Sequence, residues 1–203
     1  MNNGEYMDLL DEKKDVLQEM INLGIGKAAV SFSDMLQKEI VLSVPTLLFF
    51  TLNELESYFK LLQKTEYVNV VQPFSGGMTG RGIVSFPLIG GKTIISTLMN
   101  YPDSREPDFG NMERELIAEV GNVIINAVGS SICNMAQVET FYELPKVEFS
   151  NQIIEIKQES SENIYCVGEG EFSVKGVEIE GKILFIITYS EVEDIINKLL
   201  YGD

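Results

Sequence analysis

The sequence predicts an α+β fold: an internally duplicated, pseudo-twofold domain with two long helices packed on a shared, mostly antiparallel β-sheet. Three observations predict it. Apolar residues recur at helical spacing through residues 12–39, at Val16, Leu17, Met20, Leu23, Ala28, Phe32 and Leu36. The stretches "FSGGMTGRGIVSF" and "FSVKGVEIEGKILF" read as hairpins with glycine turns. The order of elements then repeats at an offset of one hundred residues. Glu19 matches Glu119, Asn22 matches Asn122, Pro45 matches Pro145, Gly76 matches Gly176, Ile83 matches Ile183 and Ile95 matches Ile195. A repeat this long is a duplicated half-domain, not a solenoid array. Two halves with apolar or alternating strands bury them by sharing a sheet under long helices.

Each element follows from local pattern. After the helix over 12–39 comes a buried strand in "EIVLSVPTLLFF", then a helix over 53–63. Strands in "YVNVVQPFSG" and "RGIVSFPL" lead to a short helix over 93–100. "YPDSREPDFG", rich in Pro, Asp and Gly, reads as a linker over 101–110. It separates a first repeat, 12–100, from a second, 111–203. The second opens on a helix over 111–136 and continues through strands in "KVEFS", "IYCVGEGEFSV" and "GKILFIITY". It closes on a helix in "SEVEDIINKLLYGD", with Ser190 as its cap. Only the polar "QIIEIKQESSEN" stands where the first repeat has its 53–63 helix, so the symmetry is incomplete there.

Composition bounds the chemistry. With 203 residues, 45% apolar and 23% charged, the chain can bury one sizeable core. It has no uninterrupted apolar run of eighteen residues, so no membrane span is expected. Its start, "MNNGEYMDLLDEKKD", lacks the basic segment and apolar core of a secretory signal. Cys133 and Cys166 are too few for a disulfide framework and read as free buried thiols in a reducing cytoplasm. A formal charge of −16 argues against nucleic acid or an anionic membrane as the main partner. The absence of histidine rules out a His–Cys zinc site, a Ser–His–Asp triad and a His phosphocarrier. No acidic cluster has the spacing of a calcium loop, so no metal site is expected. "GGKT" at Gly90–Thr93 fails as a phosphate loop because Phe86 stands where that motif needs glycine; its glycines read as turn residues.

One polar pattern resists a bland reading. Asp15, Glu19 and Asn22 fall at i, i+4 and i+7, on one face of a helix, and Glu115, Glu119 and Asn122 repeat the register. Asn is a mediocre helix former, and Gly24, Gly26, Gly121 and Gly129 are poorer still. A helix that accepts them gains from close packing or from a surface that a partner must approach. A solvated Glu beside an incidental Asn would explain one copy. It does not explain two copies, each followed by Pro after twenty-two residues.

This pattern, Asp/Glu-x3-Glu-x2-Asn-x22-Pro, resembles the signature of the CheC family of chemotaxis phosphatases, which includes CheX and FliY. The resemblance spans nearly the whole chain, and Glu115 departs from the Asp or Ser usual at its place. What it implies is an enzyme, a cytoplasmic hydrolase of signal transduction that removes the aspartyl phosphate from the response regulator CheY. Asn22 and Asn122 would orient the attacking water, and Glu19 and Glu119 would pair with the regulator's lysine. Asp15 and Glu115 would extend the recognition face, while Pro45 and Pro145 would be structural. No cofactor of its own is implied, since the regulator supplies Mg2+. The family also offers alternatives: a non-catalytic flagellar-switch module like the central domain of FliM, or an adaptor for the receptor deamidase CheD. Termination at Asp203, just after the second repeat, favours the stand-alone phosphatase, and the internal duplication favours a monomer.

Overall fold

The computed structural model describes residues 3–61, 65–102, 104–151, 164–177, 179–188, 193–194 and 196–197, with side chains from Lys13 onward. Helix α1 (Asn3–Leu36) leads into β1 (Ile40–Leu42), β2 (Thr46–Thr51) and α2 (Leu52–Leu61). The hairpin of β3 (Tyr67–Gly76) and β4 (Gly80–Pro87) follows, then α3 (Leu88–Met99). The second half comprises α4 (Asn111–Ala136), β5 (Thr140–Tyr142), β6 (Lys146–Ser150), β7 (Ile164–Val174) and β8 (Glu180–Thr188). Among the described residues these eight strands form one antiparallel sheet, ordered β1-β7-β8-β4-β3-β5, with β2 also on β7 and β6 also on β3. The duplicated α+β architecture is therefore present, and its halves interlock. Strands β1 and β2 of the first half pair with β7 of the second, and β5 and β6 pair with β3.

Both long helices lie on one face of the sheet and against each other. Leu17, Met20, Ile21, Ile25, Ala28 and Phe32 of α1 share a core with Ile117, Val120, Ile124, Ile125, Val128 and Ile132 of α4. On the opposite face, Leu55 and Phe59 of α2 cover Ile83, Tyr165, Val167, Leu184 and Ile186. Helix α4 is long and apolar enough to cross a membrane by composition alone, although no uninterrupted apolar run marks it. Its apolar residues are instead committed to this core, where 56% of that stretch is buried.

Several elements differ from the expectation. Helix α3 begins at Leu88, five residues before Thr93, so Gly90 and Gly91 are helical and not turn residues. A Cβ on Gly91 would stand 2.5 Å from Val68 Cγ1, and glycine there lets α3 rest on β3. "EIVLSVPTLLFF" is two strands, because Ser43–Pro45 bulge opposite Gly170–Glu171, where Pro45 has no N–H for the ladder. Only Leu47 of β2 is buried. The second half repeats the bulge, with Glu143–Pro145 opposite Gln72–Pro73. Leu23, placed in the core by helical spacing, is 47% exposed. The closing helix after Ser190 lies outside the described residues except at 193–194 and 196–197, and so does the polar segment 152–163.

Register also corrects the internal alignment. Strands β4 and β8 pair Ile83 with Leu184, and both face the α2 side, whereas Ile183 faces the long helices. The counterpart of Ile83 is therefore Leu184. Gly76 pairs with Thr140 as Val174 pairs with Ile40, so its counterpart is Val174, and Gly176 falls in the β7–β8 turn. That turn spans 175–179 where the first spans 77–79, and the strands absorb the difference. A fixed offset counts residues, while a sheet counts faces.

Candidate functional site

The buried stripes of α1 and α4 turn the motif residues away from the sheet. Asp15, Glu19, Glu115 and Glu119 are exposed, and Asn22 and Asn122 are half-buried. Asn22 Nδ2 donates to Glu19 Oε2 at 3.4 Å, and Asn122 Nδ2 to Glu119 Oε2 at 3.5 Å. The geometry of each Glu–Asn pair is thus the same in the two halves. Many other carboxylates here have cations: Glu39 holds Lys175, Glu106 holds Lys92, Glu169 and Glu171 hold Lys182, and Glu193 holds Lys13. Among the described residues none pairs with Asp15, Glu19, Glu115 or Glu119. These four negative charges are left open to a cation from outside.

Two glutamines that the sequence reading passed over complete the sites. Gln18 Nε2 donates to Asn22 Oδ1 at 3.0 Å and to the Pro45 carbonyl at 2.8 Å. Gln72 Nε2 donates to Asn122 Oδ1 at 2.9 Å and to the Glu143 carbonyl at 2.9 Å. Gln18 lies four residues before Asn22, a spacing that places side chains in reach on a helix, so a local signal existed. Gln72 reaches Asn122 from β3 and is only 2% exposed; nothing in its own neighbourhood announces the contact. Asn126 Nδ2 adds a second bond to Asn122 Oδ1 at 2.8 Å. Its counterpart in the first half is Gly26, which has no side chain to offer.

The bulges explain why loops and helices meet here. Pro45 and Pro145 each end a bulge and precede β2 and β6, which fixes the chain direction beside each Asn. The bulge tips carry Val44 and Leu144, 83% and 85% exposed, and Phe141 at 66% stands close by in sequence. Each Asn therefore lies one turn beyond an exposed carboxylate and is linked through its Gln to the bulge that carries an exposed apolar tip. A carboxamide held in this way can accept a hydrogen bond from water or donate one to oxygen, and does neither by titrating.

This eight-stranded antiparallel sheet under two long helices is a fold that the chain shares with FliY, the FliM middle domain and CheX. FliY from Thermotoga maritima matches with a TM-score of 0.74 at 20% identity, covering 95% of this chain and 98% of that one. The FliM middle domain from H. pylori gives 0.64 at 13% identity, covering 92% and 98%. CheX in its complex with CheY, BeF3 and magnesium from Borrelia burgdorferi gives 0.57 at 18%, covering 82% and 97%. By sequence, the CheY-P phosphatase CheC of Bacillus subtilis (strain 168) is 22% identical over 144 residues, 70% of this chain and 68% of that protein. No family model matches. The chain thus resembles CheC in sequence and shares its fold with FliY, CheX and the FliM middle domain.

Proposed function

We propose that this protein accelerates hydrolysis of the aspartyl phosphate on a CheY-type response regulator, using the faces around Asn22 and Asn122. The observation that carries the reading is the repeated pair: an oriented, half-buried amide one turn beyond a carboxylate that pairs with no cation among the described residues. An acyl phosphate is already electrophilic, and the regulator would bring the magnesium and the lysine that neutralise the phosphoryl charge. What remains to be supplied is an ordered water. Its oxygen bonds to phosphorus as the bond from phosphorus to the aspartyl oxygen breaks; the carboxylate leaves and the water's proton passes to phosphate. An amide that holds this water in line contributes by positioning, much as a glutamine does in small GTPases.

Glu19 and Glu119 fit the role of docking groups for the regulator's lysine, with Asp15 and Glu115 extending the negative face. Val44 and Leu144, exposed on the bulges that each Gln ties to its Asn, would be covered on docking. The test is decay of phosphorylated CheY with and without this protein. Acceleration is expected, and the double variant Asn22→Ala/Asn122→Ala should lose it while keeping its circular dichroism spectrum. A double variant as active as the parent sinks the water-positioning role. A purely scaffolding protein, as the likeness to FliM would allow, leaves the decay rate unchanged from the start.

A further inference from the structure

We propose that Gln18 and Gln72 are positioning residues, each clamping one asparagine in the orientation that its task requires. This inference rests on the phosphatase reading above. The polarity of each relay follows from groups that can only accept. The carbonyls of Pro45 and Glu143 only accept, so each Gln must turn its nitrogen toward its carbonyl. The second hydrogen of that same nitrogen then points at the Asn, which must answer with Oδ1. That leaves Nδ2 facing Glu19 or Glu119, where it donates. One backbone carbonyl thus sets the polarity of the whole relay, from bulge to Gln to Asn to Glu.

The two halves reach this relay by different routes, which argues that the relay itself matters. In the first site the donor is on the helix, Gln18, and the strand position equivalent to Gln72 is Gly170, which has no side chain and lies under Ile25. In the second site the helix position is Ala118, and the strand supplies Gln72. By strand register Gln72 and Gly170 are counterparts, since Phe74 pairs with Tyr142 as Phe172 pairs with Leu42. Helix and strand have exchanged the glutamine, and the N–H to Oδ1 contact stands in both. Gln72 is also almost fully buried with its Oε1 unpartnered, a placement that costs stability without serving the core.

Because either site could mask the other, the test uses single-site proteins. The parents are Asn122→Ala, which leaves the first site, and Asn22→Ala, which leaves the second. Gln18→Leu in the first parent and Gln72→Leu in the second should lower kcat about tenfold to a hundredfold, the scale of a misplaced catalytic group, with KM for phosphorylated CheY little changed. Gln18→Glu, nearest in shape but without donors, should fail as badly as Leu. Gln18→Lys keeps donors for both acceptors and should restore most of kcat. Without any substrate, the Asn22 side-chain NH2 resonances should shift in Gln18→Leu and return in Gln18→Lys. Unchanged kcat and unchanged NH2 shifts in the Leu variants overturn the clamp. If the unmutated protein leaves the decay of phosphorylated CheY unchanged, the phosphatase reading falls, while the NH2 shifts still decide whether the clamp exists.

Discussion

At the scale of single residues, the two asparagines are matched in position and unequal in capacity. A carboxamide oxygen has two lone pairs. Asn22 Oδ1 spends one on Gln18, while Asn122 Oδ1 spends both, on Gln72 and Asn126. Under the proposed mechanism, accepting a hydrogen bond from water at the second site means displacing a neutral hydrogen bond, worth about 0.5–1.5 kcal/mol, or roughly two- to tenfold in rate. The protein that keeps only the first site should be faster by about that factor than the one that keeps only the second. Asn126→Gly, which copies Gly26, should raise the slower protein toward the faster one in the same CheY decay assay. Equal rates, or no gain from Asn126→Gly, would refute the lone-pair argument. The Glu and Asn of each site were legible in the sequence because helical periodicity alone puts them on one face. Their glutamines were not: one was overlooked beside a stronger signal, and the other arrives from a strand whose register only the folded sheet defines.

At the scale of elements, small residues show where backbones must meet. Ile21 of α1 lies over Gly168 of β7, where a Cβ would stand 2.7 Å from Ile21 Cδ1. The equivalent contact reverses the sizes, since a Cβ on Gly121 of α4 would stand 2.4 Å from Val70 of β3. Gly121→Ala should overpack that contact and destabilise by about 1–3 kcal/mol in denaturant unfolding. Gly26→Ala meets nothing within 4 Å and should instead stabilise α1, by up to about 1 kcal/mol. The sequence marked both glycines as costly in a helix, yet the sign of each replacement depends on what lies opposite. On the far face, α2 is tied down by Tyr58, which donates to Glu169, and Glu169 and Glu171 both accept from Lys182. Burial pushes the Tyr58 phenol up, with Glu169 adding to it. Burial works against the Lys182 ammonium, yet the two glutamates outweigh it and hold its pKa above the usual value. Both groups keep their protons in the folded state longer than in the unfolded chain. Their contribution is therefore full below about pH 10, the unfolded range for Tyr and Lys, and is lost as pH rises beyond it. The melting temperature should fall as pH rises above about 10, and Tyr58→Phe should flatten that fall; an identical slope in the variant would exclude this network as the cause.

At the scale of the whole molecule, duplication was readable from the residues, but the way the halves combine was not. The repeat predicts two halves sharing one sheet, without saying which strands meet. The strand order gives each half's short strands to the other half's long one, so β7 is paired along its length only by β1 and β2 on its outer side, and β3 only by β6 and β5. The dyad passes through the Ile83–Leu184 pair at the sheet centre. Cutting the chain in the 101–110 segment therefore leaves each piece with an unpaired inner strand and a helix lacking its helical neighbour. Such an edge is an open template for another chain. A fragment of residues 1–104 should not fold as a monomer. It should either stay unfolded or pair with a second copy of itself, its β1 and β2 taking the partner's β3 as they take β7 here. Mixed with residues 105–203, it should form a one-to-one complex whose circular dichroism matches that of the intact chain, and whose Asn122 site regains Gln72 from the other piece. Light scattering with unfolding curves of each fragment and of the mixture decides the matter. A monomeric fragment with its own cooperative transition would mean that the halves are independent units, and the interlocked sheet would then be a consequence of linkage, not its cause.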